Sequence, residues 1–179
     1  MIQDKRMKYI QSVDGLDFYE YKTRLFSYFY QTMAGYETLV TRQLRETIDY
    51  LRGNYKVIYM GVGNLLVGYG VITRGGGRNR FSTTKDIVLC SLYVKPECRG
   101  KGYGNTLVKV LSTGLGLNHC NVYEYIRHDN FPSIKVALTN GFVKSGNATY
   151  KGRLKSIVPS DDGALGIYIK DHQIKGSAF

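Results

Sequence analysis

Two hydrophobic periodicities divide the chain. Tyr55–Gly61 and Leu65–Thr73 are apolar, β-branched runs with Gly63-Asn64 between them, which predicts an antiparallel hairpin. Lys85–Val94 is a third run of that kind. Asn121–Ile126, Phe142–Ser145 and Ala164–Ile169 predict further strands, and Lys8–Val13 a first one. Helical spacing takes over elsewhere. Phe18, Leu25, Phe26 and Phe29 predict a helix from near Leu16, capped by Asp14 or Asp17 and broken at Gly35. Leu39, Val40, Leu44, Ile48 and Leu51 form one stripe of a second helix from Glu37 to about Leu51, stopped by Gly53-Asn54. Leu107, Val108, Leu111 and Leu115 mark a helix from near Gly102 to about Leu115. Pro132 suits the first turn of another, opened by Asn130 and closed by Asn140-Gly141. The polar stretch Gly146–Gly163 reads as a loop.

The order is helix–helix, hairpin, then β-α-β-α-β-β. Crossovers of this kind imply parallel neighbours in a mixed sheet, an α/β (α+β) arrangement. A length of 179 residues predicts one domain over 1–179. The composition, 43% hydrophobic and 22% charged, is that of a soluble globular protein. No apolar run is long enough to span a bilayer, and no apolar stretch follows the charged Met1–Arg6, so neither a membrane span nor a signal peptide is expected. Cys90, Cys98 and Cys120 are odd in number and lack C-x-x-C spacing. They predict neither disulfides nor a metal site, and place the chain in a reducing cytoplasm.

A net charge of +11 admits three readings: a solvated basic surface, a site for a polyphosphate ligand with an anionic co-substrate, or nucleic-acid binding. Basic residues are spread through the chain, as are the 16 tyrosines that could stack on bases. No RNP, helix-turn-helix or KH pattern is present, so nucleic acid is the weakest of the three.

The stretch Ile87–Gly104 sharpens the second reading. An apolar strand ends at Pro96, a basic glycine-rich loop follows, and a helix begins. Free backbone N–H groups at a helix N-terminus make an anion site. The P-loop pattern fails because no Ser or Thr follows Lys101 and Gly102. The dinucleotide fingerprint fails on spacing. What remains is R-x-x-G-x-G at Arg99, Gly102 and Gly104. Arg74-Gly75-Gly76-Gly77-Arg78-Asn79-Arg80 also combines glycines with arginines. It is better read as a flexible connection, since no helix follows to supply a dipole.

Leu92-x-Val94-x-Pro96-x-x-Arg99-Gly100-x-Gly102-Tyr103-Gly104-x-x-Leu107-Val108 resembles the cofactor motif of the GNAT acetyltransferase superfamily. Asn130-x-x-Ser133-Ile134-x-Val136, then Asn140-Gly141-Phe142, is similar to that family's second motif. The resemblance implies the GNAT acyl-CoA N-acyltransferase fold, with a splayed central sheet flanked by helices. It implies acetyl-CoA as co-substrate, without a metal, and an amine acceptor: a small amine, an amino sugar or a protein amine. In such a site the backbone of Leu92, Tyr93 and Val94 pairs with the pantetheine arm. Arg99, Gly100, Lys101, Gly102, Tyr103 and Gly104 bind the pyrophosphate, and Asn130 and Ser133 line the arm. Asn130 serves equally as a plain helix cap.

The catalytic half departs from the family. Direct transfer needs a neutral amine, a stabilised oxyanion and a protonated leaving thiolate. The resemblance gives the oxyanion donor to the amide near Leu92. The tyrosine that commonly protonates the thiolate falls on Ala137. Tyr150 and Tyr168 are the alternative acids, each equally explained by packing, and water is another. The family's glutamate before the loop is also missing, since that segment reads Leu89-Cys90-Ser91. Glu124, in the next strand, is the candidate base, with an ion-paired surface residue as the competing reading. His128-Asp129 reads as loop decoration, because neighbours on an extended segment point apart. Cys98 reads as structural. The basic charge favours an acceptor bearing phosphate or carboxylate, and a homodimer is compatible with the chain. With its acid missing, the chain also fits a non-catalytic acyl-CoA-binding regulatory module.

Overall fold

The computed structural model describes residues 7–21, 55–74, 86–113, 120–152 and 156–171. The predicted helix from Glu37 to Leu51, most of the one before it, and the loop after Arg74 lie outside these residues. Strands β1 (Met7–Val13), β2 (Leu16–Tyr21), β3 (Tyr55–Val62), β4 (Leu65–Arg74) and β5 (Ile87–Val94) come first. A 3-10 turn (Pro96–Cys98), helix α1 (Tyr103–Thr113), strand β6 (Val122–Arg127) and helix α2 (Phe131–Thr139) follow. Strands β7 (Val143–Lys151), β8 (Ser156–Pro159) and β9 (Leu165–Lys170) complete the described chain. These elements fall into two compact units. One holds the residues up to Thr73 with Ser91–Leu107, and the other Arg74–Cys90 with the residues from Val108 on.

In the first unit, β1, β2, β3 and β4 form an antiparallel meander. Here the structure corrects the sequence reading, because the residues from Leu16 begin a strand and not a helix. Asp14 and Gly15 have φ of 52° and 75°, the left-handed pair that a tight two-residue hairpin turn demands. Asp14 is therefore a turn residue rather than a helix cap. Leu16 and Phe18 are buried from one side of β2, and Tyr19 from the other. A row of tyrosines crosses this unit in register: Tyr9 opposite Tyr19, Tyr19 opposite Tyr59, and Tyr59 opposite Tyr69. Tyr69 stacks on Tyr93 of β5 with ring centroids 5.4 Å apart. Aromatic cross-strand pairs stabilise a sheet by packing against each other. Tyr19, Tyr59 and Tyr69 are buried, so these rings are not displayed for stacking on bases.

In the second unit, the first residues of β5 pair in parallel with β6 at Ile87, Val88 and Leu89. The neighbours of β6 continue in the order β9, β7, β8, all antiparallel to one another. Mixed pairing of this kind is the α+β sheet that the element order implied. Val88, Tyr123, Ala148, Leu165 and Ile167 form one buried cluster. The stretch read as the loop Gly146–Gly163 is corrected in part: β7 runs on to Lys151, and Ser156–Pro159 pairs with it. Its polar residues concealed an edge hairpin whose outer face is solvated, so no apolar alternation was there to read.

Strand β5 carries an irregularity that the sequence does not announce. Ser91 has φ of 51°, a left-handed backbone inside a strand. The parallel ladder to β6 stops two residues earlier, at Leu89 opposite Glu124. A positive φ interrupts pairing as a bulge does, and for a residue with a Cβ it stores about 1–3 kcal/mol of strain. Beyond it, β4 approaches β5 closely: a Cβ on Gly68 would lie 2.5 Å from the Tyr93 carbonyl oxygen. The Lys95 N–H also donates to Val67 O at 2.9 Å. A β-branched side chain tolerates left-handed φ poorly. We therefore expect Ser91→Val to lower unfolding free energy by roughly 1–3 kcal/mol in urea titrations, while Ser91→Gly stays near the parent. Equal losses in both variants would show that the serine hydroxyl, not the backbone, is what matters there.

Candidate active site

The cofactor-loop residues named from sequence all lie in the first unit. Pro96–Cys98 make one 3-10 turn, with the Cys98 N–H donating to Lys95 O at 2.9 Å and the Arg99 N–H to Pro96 O at 3.2 Å. Gly100 and Gly102 have φ of 79° and 80°, and nothing lies within 4 Å of where a Cβ would sit on either. Both glycines are thus required by backbone conformation, and both leave open space over the peptide. Asn105 and Thr106 donate to Gly102 O at 2.9 and 3.2 Å, starting α1. The N–H groups from Gly100 to Gly104 enter no turn or cap bond to a backbone carbonyl among the described residues. Arg99 Nε donates to Val94 O at 3.1 Å, tying the loop to the end of β5, and Lys101 is exposed. Open peptide, donors at a helix N-terminus and two nearby cations fit a pyrophosphate. Leu92, Tyr93 and Val94 lie past the end of the ladder to β6, and their backbone is the strand edge that pantetheine amides would extend.

The remaining predicted site residues belong to the second unit. Asn130 caps α2, its Oδ1 accepting from the Ser133 N–H at 3.3 Å. Its capping role is therefore realised, through one oxygen of its amide. Ala137 is fully buried at 0% exposure, and its carbonyl accepts from the Phe142 N–H at 3.1 Å. The place that the resemblance assigns to a tyrosine is packed solid around a methyl group.

Glu124 is 3% exposed, in the middle of β6, and its Oε1 has no hydrogen-bond partner among the described residues. It lies opposite Leu89 on one neighbouring strand and Tyr168 on the other. Burial pushes its carboxyl from 4.5 up to about 8. The surface ion-pair reading of Glu124 is thereby excluded. Tyr168 is also buried, and burial raises its phenol.

Tyr150 is 56% exposed and lines a groove of about 360 Å³ with Arg127, His128, Asp129, Thr149 and Leu165. Glu124 is not among the groove's lining residues. Arg127 grips Asp129 with two bonds, Nε to Oδ1 at 3.0 Å and Nη2 to Oδ2 at 2.5 Å. That hydrogen bonding holds the Asp129 carboxyl below the usual range. His128 Nε2 lies 2.9 Å from Gly163 O. His128 and Asp129 lie in the turn after β6 and not on an extended segment, and each bonds a different partner. Sequence reading missed this groove because its walls come from three segments distant in the chain. Among the described residues no group of three or more metal-ligating side chains comes together, and no helix is long and apolar enough to cross a membrane.

Comparisons with known proteins agree with this geometry. The model of the Acetyltransferase (GNAT) family matches residues 17–142. Among solved structures, the ribosomal L7/L12 alpha-N-protein acetyltransferase RimL superposes with a TM-score of 0.64 at 16% identity, over 91% of this chain and 97% of that one. A variant of spermidine N-acetyltransferase SpeG from Vibrio cholerae gives 0.62 at 14% identity, over 89% and 95%. The yncA protein of Salmonella typhimurium, solved with its cofactor acetyl-CoA, gives 0.54 at 17%, over 82% of each. No curated protein matches the chain by sequence. The two motifs flanking α1 and α2, the mixed sheet and a family match over most of the chain lead to one conclusion: this chain belongs to the GNAT acetyltransferase family.

Proposed function

We propose that the chain is a cytoplasmic N-acetyltransferase that moves an acetyl group from acetyl-CoA to an amine bearing an anionic group. The observation that carries this is the loop from Arg99 to Gly104, with two left-handed glycines open above and cations beside it. Relatives of the same fold that act on a protein N-terminus and on spermidine support an amine acceptor. The net charge of +11 favours an anionic one, and three cysteines without C-x-x-C spacing fit a reducing compartment.

Bound acetyl-CoA supplies the acetyl group activated as a thioester. The chain's own residues hold it and manage protons. The Leu92 amide is the oxyanion donor, because its strand edge has left the ladder. Glu124 is the base. A carboxyl at about 8 is largely protonated at neutral pH and becomes competent as pH rises, which is the range in which an ammonium must lose its proton. Tyr150, exposed and in a groove, is the proton donor that stands in for the missing tyrosine at Ala137. A second reading, an acyl-CoA-binding module without catalysis, draws on the complete burial of Ala137.

Two measurements test this. Acetyl-CoA and CoA should each raise the melting temperature, by the equivalent of about 2.7 kcal/mol at a hundredfold excess over Kd, whereas ATP should not. Absence of stabilisation by either CoA species removes the loop assignment. Free-thiol release with an amine panel then separates enzyme from binding module. For Glu124→Gln the expected result is a rate loss of 10²-fold or more and no rise of rate towards pH 8.

The same variant has a stability signature. The folded state holds the Glu124 proton up to about pH 8, while the unfolded chain releases it near 4.5. Native stability from this group is therefore full below pH 4.5 and falls as pH climbs to about 8. At 1.36 kcal/mol per unit the ceiling is about 5 kcal/mol. Glu124→Gln should gain on the parent across that window in urea unfolding. A difference independent of pH would place the carboxyl in water.

A further inference from the structure

The groove formed by Arg127, Asp129, Thr149 and Tyr150 has features that proton transfer alone does not require. We infer that it is the subsite for a carboxylate on the acceptor, with Arg127 as the recognising side chain. Asp129 occupies the side-on edge of the guanidinium, Nε and Nη2. A guanidinium has five N–H donors in a plane, so the end-on edge, Nη1 with the second Nη2 hydrogen, stays available with its orientation held. Arg127 is 71% exposed and lines the groove with Thr149 and Tyr150. Its guanidinium presents hydrogen-bond donors.

The rest of the groove is held in place. Gly163, which anchors His128, sits so close to β7 that a Cβ would lie 2.1 Å from Ala148 O. Asn147 Nδ2 donates to Asp161 O at 2.9 Å, and Ser160 Oγ bonds Asp162 at 2.7 Å, both in the connection leading to Gly163. The floor includes buried Leu165, an apolar surface for a short aliphatic chain. At about 360 Å³ the space is at the small end of ligand sites. The planar end-on fork matches a carboxylate, and the neighbouring Asp129 charge disfavours a dianion. The Asn130 N–H donates to Arg127 O at 3.0 Å, which fixes the backbone of the turn that carries the pair. Naming the ligand as the acceptor rests on the acyl-transfer reading above, but carboxylate binding itself does not.

The test uses the full chain and a probe with a carboxylate and no free amine, N-acetyl-β-alanine, against its uncharged amide, N-acetyl-β-alaninamide. Titration calorimetry should give a preference for the acid of roughly tenfold or more, as expected for a charge-assisted bidentate bond. Arg127→Gln should abolish the preference without changing the melting temperature or acetyl-CoA affinity, and Arg127→Lys should restore part of it. Equal binding of acid and amide, binding of neither, or a preference that survives Arg127→Gln each overturns the subsite. Loss of the acyl-transfer reading appears separately, as failure of acetyl-CoA to stabilise the protein.

Discussion

The left-handed backbone at Ser91 is the constraint on which the cofactor half depends. A strand that continued its ladder to β6 would have satisfied the peptide groups of Leu92, Tyr93 and Val94 internally. The ladder to β6 ends at Leu89, and the strand goes on to Val94. Gly68 lets β4 come within contact of the Tyr93 carbonyl, and the Lys95–Val67 bond fixes the strand's exit. The loop of Arg99–Gly104 is thereby set at the end of a strand held from one side. Strain at a functional position, maintained by surrounding packing, is a common arrangement.

Binding and catalysis are built differently. The cofactor loop works through backbone: two left-handed glycines, a helix N-terminus and a strand edge. Such features need few particular side chains, and the fold itself is shared with RimL at 16% identity. The groups proposed to handle protons, Glu124 and Tyr150, are side chains on the second unit's strands. There the chain departs from its family, with a packed alanine at position 137 and a buried carboxyl at position 124. A buried carboxyl with one oxygen unpartnered among the described residues costs stability at neutral pH, a cost more often met at functional positions than elsewhere. Arg127 and Asp129 form an exposed pair of small energetic worth, whose value lies in orienting the guanidinium.

Much of this was legible in the residues. The hairpin Tyr55–Thr73, the strand before Pro96 and helices α1 and α2 follow from periodicity, glycines and caps, and both motifs from their resemblance to the family. The error at Leu16 has a local cause. Asp14-Gly15 is a strong hairpin signal, but Phe18, Leu25, Phe26 and Phe29 also satisfy helical spacing, and the choice fell on the longer pattern. The β7–β8 edge was missed because its outward residues are polar and its chain carries few apolar markers.

By itself the sequence determined the class of fold, through glycines, prolines and short-range hydrophobic spacing, and the family, through the resemblance of its two motifs. Tertiary structure alone decided the burial of Glu124, the packing of Ala137, the tyrosine row and the Arg127 groove. Each depends on which strands become neighbours and in what register. A one-residue shift would exchange every buried side chain for its solvent-facing neighbour. Local sequence cannot encode that choice, which is made when distant segments pack together.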